Sequence, residues 1–141
     1  MTPRKVNSFV VVLAALFVAV MFGVMQVGSG ASGLAWENNL TQASVAAKQA
    51  GRPMLVSFHT PGCPACLQMD ATTFHDEKVV TLAKNFVCVR VDSDIDPKAT
   101  DDAKISEFPT TVFLNAQGRE TFRFAGYIAP DRFATLLDKM R

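Results

Sequence analysis

The sequence predicts an α/β sandwich: a single layered domain of buried strands and amphipathic helices, preceded by an apolar N-terminal segment. Three observations carry this. From residue 34 on, short apolar runs without a helical period alternate with segments of helical period, in the order helix, strand, helix, helix, strand, helix, hairpin, helix. The 141 residues, 49% hydrophobic and 19% charged, suffice for one core and leave no room for two. Part of the apolar content lies apart from that core, in the 19-residue run Phe9 to Val27, whose only strongly polar member is Gln26.

That run has the length of a membrane span, which needs about 20 apolar residues, whereas a signal-peptide apolar region usually has about 7 to 15. Its length favours an anchor over residues 1–27 that stays attached. Ser29-Gly30-Ala31 offers the small residues a signal peptidase requires, so a cleaved leader is the competing reading. Arg4 and Lys5 precede the run and no charge follows until Glu37, which by the positive-inside rule exports the rest of the chain. The domain is therefore expected outside the cytoplasm, held at the outer face of the membrane or released there if the segment is cleaved. Without Arg4 and Lys5 there remain 12 basic against 13 acidic residues and no run of either sign, which argues against nucleic acid as a partner.

Residues 28–33 hold three glycines and two serines and read as a flexible spacer, leaving 34–141 for the domain. Leu40, Ala43, Ala47 and Ala50 recur at helical spacing; Asn39 or Thr41 can cap the start and Gly51 followed by Pro53 supplies the stop. Met54 to Phe58 is a short apolar run expected to be a strand buried on both faces. A helix is expected over Cys66 to Phe74. Asp76 can cap the next, which carries Val79, Leu82, Ala83 and Phe86, and Phe86 to Val91 reads as a second buried strand. Pro97 suits the first turn of a short helix through about Ile105. Thr110 to Leu114 and Glu120 to Phe124 form a hairpin across the turn Asn115 to Gly118. Pro130 and Asp131 open a last helix whose Phe133, Leu136, Leu137 and Met140 make one apolar stripe.

The chemistry lies in Cys63-Pro64-Ala65-Cys66, directly after a strand and at the start of a helical stretch, the context in which a C-x-x-C spacing reads as a redox motif. Unpaired N–H groups and the dipole at a helix N-terminus stabilise a thiolate on Cys63, while Cys66, one turn in, is expected to be more buried. Lowering a thiol pKa from about 8.5 to about 6.5 raises the thiolate fraction roughly 25-fold but cuts nucleophilicity about 8-fold. The larger effect is on equilibrium, where two units are about 2.7 kcal/mol, or roughly 60 mV, in favour of the reduced form.

Two other readings of the pair stand beside this one. An inert structural disulfide is compatible with an oxidising compartment, but so small a loop stabilises little. A metal site is the second: His59, Cys63, Cys66 and His75 offer nitrogen and sulfur ligands and Met69 a soft thioether, so a membrane-tethered copper-binding metallochaperone is the alternative function. Against it, His75 reads as a solvated helix-start residue and Met69 and Phe74 as helix core. The preferred reading takes no metal and no cofactor. Cys88, within Val87 to Val91, is expected to be a buried small hydrophobe.

Pro53 to Phe58 leading into Cys63-x-x-Cys66, then Phe108-Pro109-Thr110 before a strand, Gly118 in the hairpin and Gly126 before the last helix together resemble the thioredoxin superfamily. Trp36, Asp70, Thr73-Phe74 and the Asp92 to Pro97 segment are most similar to exported or membrane-anchored bacterial thioredoxin-like domains of the thiol:disulfide interchange type. The resemblance covers about Leu34 to Arg141. It implies a three-layer α/β/α sandwich with a central mixed sheet, and a dithiol-disulfide oxidoreductase acting on protein thiols or disulfides, here preferably as a reductant, with a second redox protein as electron donor or acceptor. It further implies that Cys63 attacks the substrate disulfide, that Cys66 resolves the mixed disulfide, and that Pro109 is cis, with Phe108 offering its backbone to a substrate strand. The sequence departs from the family at two places: Ser57 stands where many relatives carry a buried acid, and Gly62 where they carry Trp. With that acid absent, His59 or water is the expected proton acceptor for Cys66, since His59 is near the motif and titrates near neutrality.

Overall fold

The computed structural model describes residues 33–141. The apolar run 9–27, the cleavage motif Ser29-Gly30-Ala31 and the spacer up to residue 32 lie outside the described residues. Among the described residues no helix is long and apolar enough to cross a membrane.

The elements in chain order are α1 (Leu40–Ala50), β1 (Met54–His59), α2 (Pro64–Ala71), a 3-10 turn (Thr73–His75), α3 (Glu77–Ala83), β2 (Val87–Asp92), α4 (Pro97–Asp102), β3 (Thr110–Leu114), β4 (Glu120–Ala125) and α5 (Pro130–Met140). Helix ends follow the local chemistry. Asn39 caps α1 through a bond from the Gln42 N–H, and Asp76 caps α3 through one from the Val79 N–H. Gly51 ends α1 with φ +63, a left-handed conformation that costs glycine little.

The four strands lie in the order β2-β1-β3-β4, β1 running parallel to β2 and antiparallel to β3, and β3 antiparallel to β4. Every residue of β1 from Met54 to Phe58 is buried, as expected of a central strand covered on both faces. Strand alternation splits the core in two. Leu55, Cys88 and Phe113 face α2, α3 and α5, packing with Met69, Val79 and Phe133. Val56, Val89 and Val112 face the other way, onto Ala43 and Ala47 of α1 and Ala99 of α4. The small residues of α1 let that helix approach closely, while the large apolar side chains that fill the opposite layer contribute about 1.5–3 kcal/mol each.

Several boundaries differ from expectation, three of them for a clear local reason. The helix after the cysteines ends at Ala71, because Thr72 leaves helical geometry and Thr73, fully buried, donates its hydroxyl to the Ile128 carbonyl at 2.6 Å, so that Phe74 lies in a separate 3-10 turn. Phe86 is a buried turn residue whose N–H bonds the Ala83 carbonyl, and β2 starts one residue later. Helix α4 stops at Asp102 rather than near Ile105, since Lys104 adopts φ +53.

One feature had no local signature. Residues 34–37 form an arm along the outer edge of β2, where the Glu37 N–H donates to the Cys88 carbonyl and the Arg90 N–H to the Glu37 carbonyl, while the Leu34 N–H reaches the Phe74 carbonyl at 3.0 Å. Trp36 meets Phe74 edge-on, with ring centroids 4.9 Å apart.

Candidate active site

Cys63 is the N-cap residue of α2, and its sulfur accepts a hydrogen bond from the Cys66 N–H at 3.2 Å. Pro64 at the first helical position withholds no needed donor, since that N–H has no partner inside a helix. The sulfur thus lies where unpaired backbone N–H groups and the positive end of the helix dipole favour negative charge. Gly62, immediately before, takes φ +76, so a side chain there would be strained. The local backbone therefore suits glycine at this position.

Cys63 is partly exposed and Cys66 is 4% exposed. Their Cα atoms are 5.2 Å apart, within disulfide range, and their sulfurs are paired as a disulfide. On the open side of the pair, the Phe108 carbonyl oxygen lies 3.6 Å from the Cys63 sulfur. The Phe108-Pro109 peptide is cis. The loop is held by the Thr110 hydroxyl, which donates to the Glu107 carbonyl at 2.7 Å, and by the Gly126 N–H, which donates to the Pro109 carbonyl at 2.7 Å. Cys63, Cys66, Phe108 and Pro109, chosen from sequence, are thus brought together.

His59 ends β1, half-buried, on the strand face shared by Leu55 and Ser57. Burial lowers its pKa, the Arg90 charge lowers it further, and Asp92, Asp70 and Asp94 oppose the shift. Among the described residues no group of three or more His, Cys, Asp or Glu side chains is placed to hold a metal ion. Met69 is fully buried in the core. His75 is exposed, as expected, but donates from Nδ1 to the Asp70 carbonyl at 2.5 Å, and its ring lies against Gly33. Cys88 is a free, buried thiol whose pKa burial pushes up to about 12.

Sequence reasoning missed the cluster beside the pair. Arg90 of β2 reaches across to the carboxylate of Asp70 on α2, and its guanidinium lies over the Trp36 ring, 5.5 Å from the centroid. A charge inside the apolar alternation Val87 to Val91 was the available signal, because a charge in a buried strand calls for a partner.

A model of the thioredoxin-like domain family matches residues 40–141. The thiol:disulfide interchange protein DsbD of Ralstonia nicotianae is 29% identical over 134 residues, covering 84% of this chain and 21% of that protein. Its namesake from Vibrio vulnificus is 32% identical over 85 residues, covering 56% and 14%. The chain thus spans about a fifth or less of the length of these curated relatives. Among solved structures, a thioredoxin from Thermus thermophilus superposes with a TM-score of 0.68 at 27% identity, over 76% of this chain and 86% of that one. The C-terminal domain of Neisseria meningitidis DsbD, in the oxidised form, superposes with a TM-score of 0.62 over 76% of this chain and all of that one, and at 15% identity speaks for the fold alone. With the family match spanning most of the chain and a cysteine pair capping α2, the chain belongs to the thioredoxin-like domain family and carries the dithiol of a thiol-disulfide oxidoreductase.

Proposed function

We propose that residues 34–141 act outside the cytoplasm, tethered through residues 9–27, to reduce disulfides of protein substrates with electrons drawn from a second redox protein. The observation that carries the reading is the asymmetry of the pair. A partly exposed Cys63 sulfur sits at a helix tip beside the Phe108 backbone carbonyl, with a buried Cys66 directly behind it.

In this reading the Cys63 thiolate attacks the substrate disulfide while the substrate backbone runs along Phe108 and Pro109, a short stretch of strand-like pairing. Cys66 then attacks the Cys63 sulfur and releases the reduced substrate, passing its proton to His59 or water. Lowered as it is, the His59 pKa keeps the ring neutral and able to accept. The reducing direction draws support from charge: α2 carries Asp70 and no basic residue, whereas a strong oxidant needs a strongly stabilised thiolate. Export draws support from Arg4 and Lys5 ahead of the apolar run.

The reduction potential of the Cys63/Cys66 couple tests the direction, with a value near about −270 mV expected and one near about −120 mV overturning it. The order of attack is tested by Cys66→Ala, which is expected to accumulate a mixed disulfide at Cys63 with a model peptide disulfide. If Cys63→Ala trapped the complex instead, the roles would be reversed.

A further inference from the structure

Three polar residues stand side by side across the sheet. The β1–β2 register sets Ser57 beside Arg90, and the β1–β3 register sets it beside Thr111. By strand alternation their side chains share the face of Leu55, Cys88 and Phe113, which α2 covers. The inward residues of α2 are Cys66 and Met69, and Met69 packs in the cluster of Leu55 and Phe113. Helix α2 starts at the carboxyl end of β1 and runs back over it. One helical turn from Met69 to Cys66, about 5 Å, therefore matches the step of about 6.6 Å from Leu55 to Ser57. By that match of steps, Cys66 is expected over the Ser57–Thr111 pair.

All three groups are donors. Ser57 is 1% exposed and Thr111 0%. The Thr111 hydroxyl and the Arg90 Nε–H have no hydrogen-bond partner among the described residues, although the far end of Arg90 pairs with Asp70. A buried donor left unpaired is costly, and two of them in one row on the sheet face that α2 covers call for an acceptor.

We infer that Ser57 and Thr111, with the Arg90 Nε–H beside them, form a donor floor that stabilises the thiolate of Cys66 while the mixed disulfide is resolved, an inference that rests on the resolving role proposed for Cys66. In the closed disulfide the sulfur is a weak acceptor. With Cys63 bonded to substrate, Cys66 is a free thiol, and on losing its proton it becomes an anion able to accept from the floor. The Cys66 thiolate then attacks the Cys63 sulfur. The Cys63–Cys66 bond forms, the Cys63–substrate bond breaks with its electron pair leaving on the substrate sulfur, and that thiolate takes a proton from solvent. Two electrons pass from the dithiol to the substrate. The charged and titratable groups that α2 and this sheet face carry are Cys63 and Asp70 on α2, Cys88, Arg90 and Asp92 on β2 and His59 on β1. Asp70 is already paired with Arg90, so the two hydroxyls carry the difference that substitution reads.

The test uses the full-length chain. In a Cys63→Ala background, with Cys88 titrating only at about 12, thiolate absorbance reports Cys66 alone. Thr111→Val, which keeps the volume and removes the donor, is expected to raise the Cys66 pKa by about one unit. With Cys63 present it slows release of a model thiol from the mixed disulfide about threefold at neutral pH, once the gain in nucleophilicity is counted. Thr111→Ser is expected to stay close to wild type, and Ser57→Ala to shift the pKa in the same direction as Thr111→Val, carrying the test should the latter fail to fold. Unmoved pKa values in both Thr111→Val and Ser57→Ala, with turnover retained, overturn the floor alone. So does a Thr111→Ser shift as large as that of Thr111→Val. A wild-type protein that never forms the mixed disulfide overturns the resolving role and the floor with it.

Discussion

The guanidinium of Arg90 lies 5.5 Å over the ring of Trp36 while its Nη2 pairs with the carboxylate of Asp70. A residue of the N-terminal arm, one of a central-layer strand and one of the active-site helix are thereby joined through a single cation. Both ends of the ion pair are partly screened from water, the side chains being 24% and 32% exposed. Arg90→Ala is expected to destabilise the domain by about 2 kcal/mol, combining a cation–π contact of about 0.5–1 kcal/mol, the packing of the stem and the loss of Asp70's partner. Urea unfolding should show a lower midpoint with an unchanged slope. Adding Asp70→Asn should cost less than the sum of the single changes; strict additivity would show that the pair contributes nothing.

Cys88 is expected to stay out of the redox chemistry. Its sulfur lies 3.7 Å from the Ala83 carbonyl, and burial pushes its pKa to about 12. In the folded, oxidised protein it should resist alkylation at mildly alkaline pH and react once the chain is unfolded. Cys88→Ala should retain disulfide exchange and lose about 1 kcal/mol of stability. Rapid labelling of the native chain at Cys88 would contradict the burial.

His59 makes stability depend on pH with a defined sign. Its folded-state pKa lies below the ordinary 6.5, first through burial and then through Arg90. The unfolded chain therefore binds the proton more readily. The contribution of neutral His59 is complete above about pH 6.5 and is lost as pH falls toward the folded-state value. Unfolding free energies measured between about pH 5 and 7.5 should rise with pH in the wild type and rise less in His59→Gln. His59→Ala should also alter the pH profile of disulfide reduction; an unchanged profile would leave water as the acceptor.

The sequence carried the elements but not their cross-connections. Asn39, Gly51 and Asp76 set helix ends through contacts made within three or four residues, so their chemistry could be read directly. The strand at Met54, the hairpin around Gly118 and the burial of Cys88 followed from apolar runs and turn residues in the same way. The cis Phe108-Pro109 peptide and its place beside Cys63 came through resemblance alone, because nothing local to Pro109 distinguishes it from a proline opening a strand. The row Arg90, Ser57, Thr111 depends on the register of three strands drawn from distant parts of the chain, and the arm at Glu37 on an edge that exists only once the sheet is built. Neither leaves a period in the sequence.

The arm also settles what the two rims of the sheet present to other molecules. Glu37 occupies hydrogen-bonding positions along the rim of β2 that an incoming extended chain would need, so self-association by strand addition is blocked along that stretch. Among the described residues the opposite rim, β4, has no further strand beside it, and it carries the charged pair Glu120 and Arg123. Crowded at high concentration, copies of this domain would therefore be expected to stick to one another through β4 first.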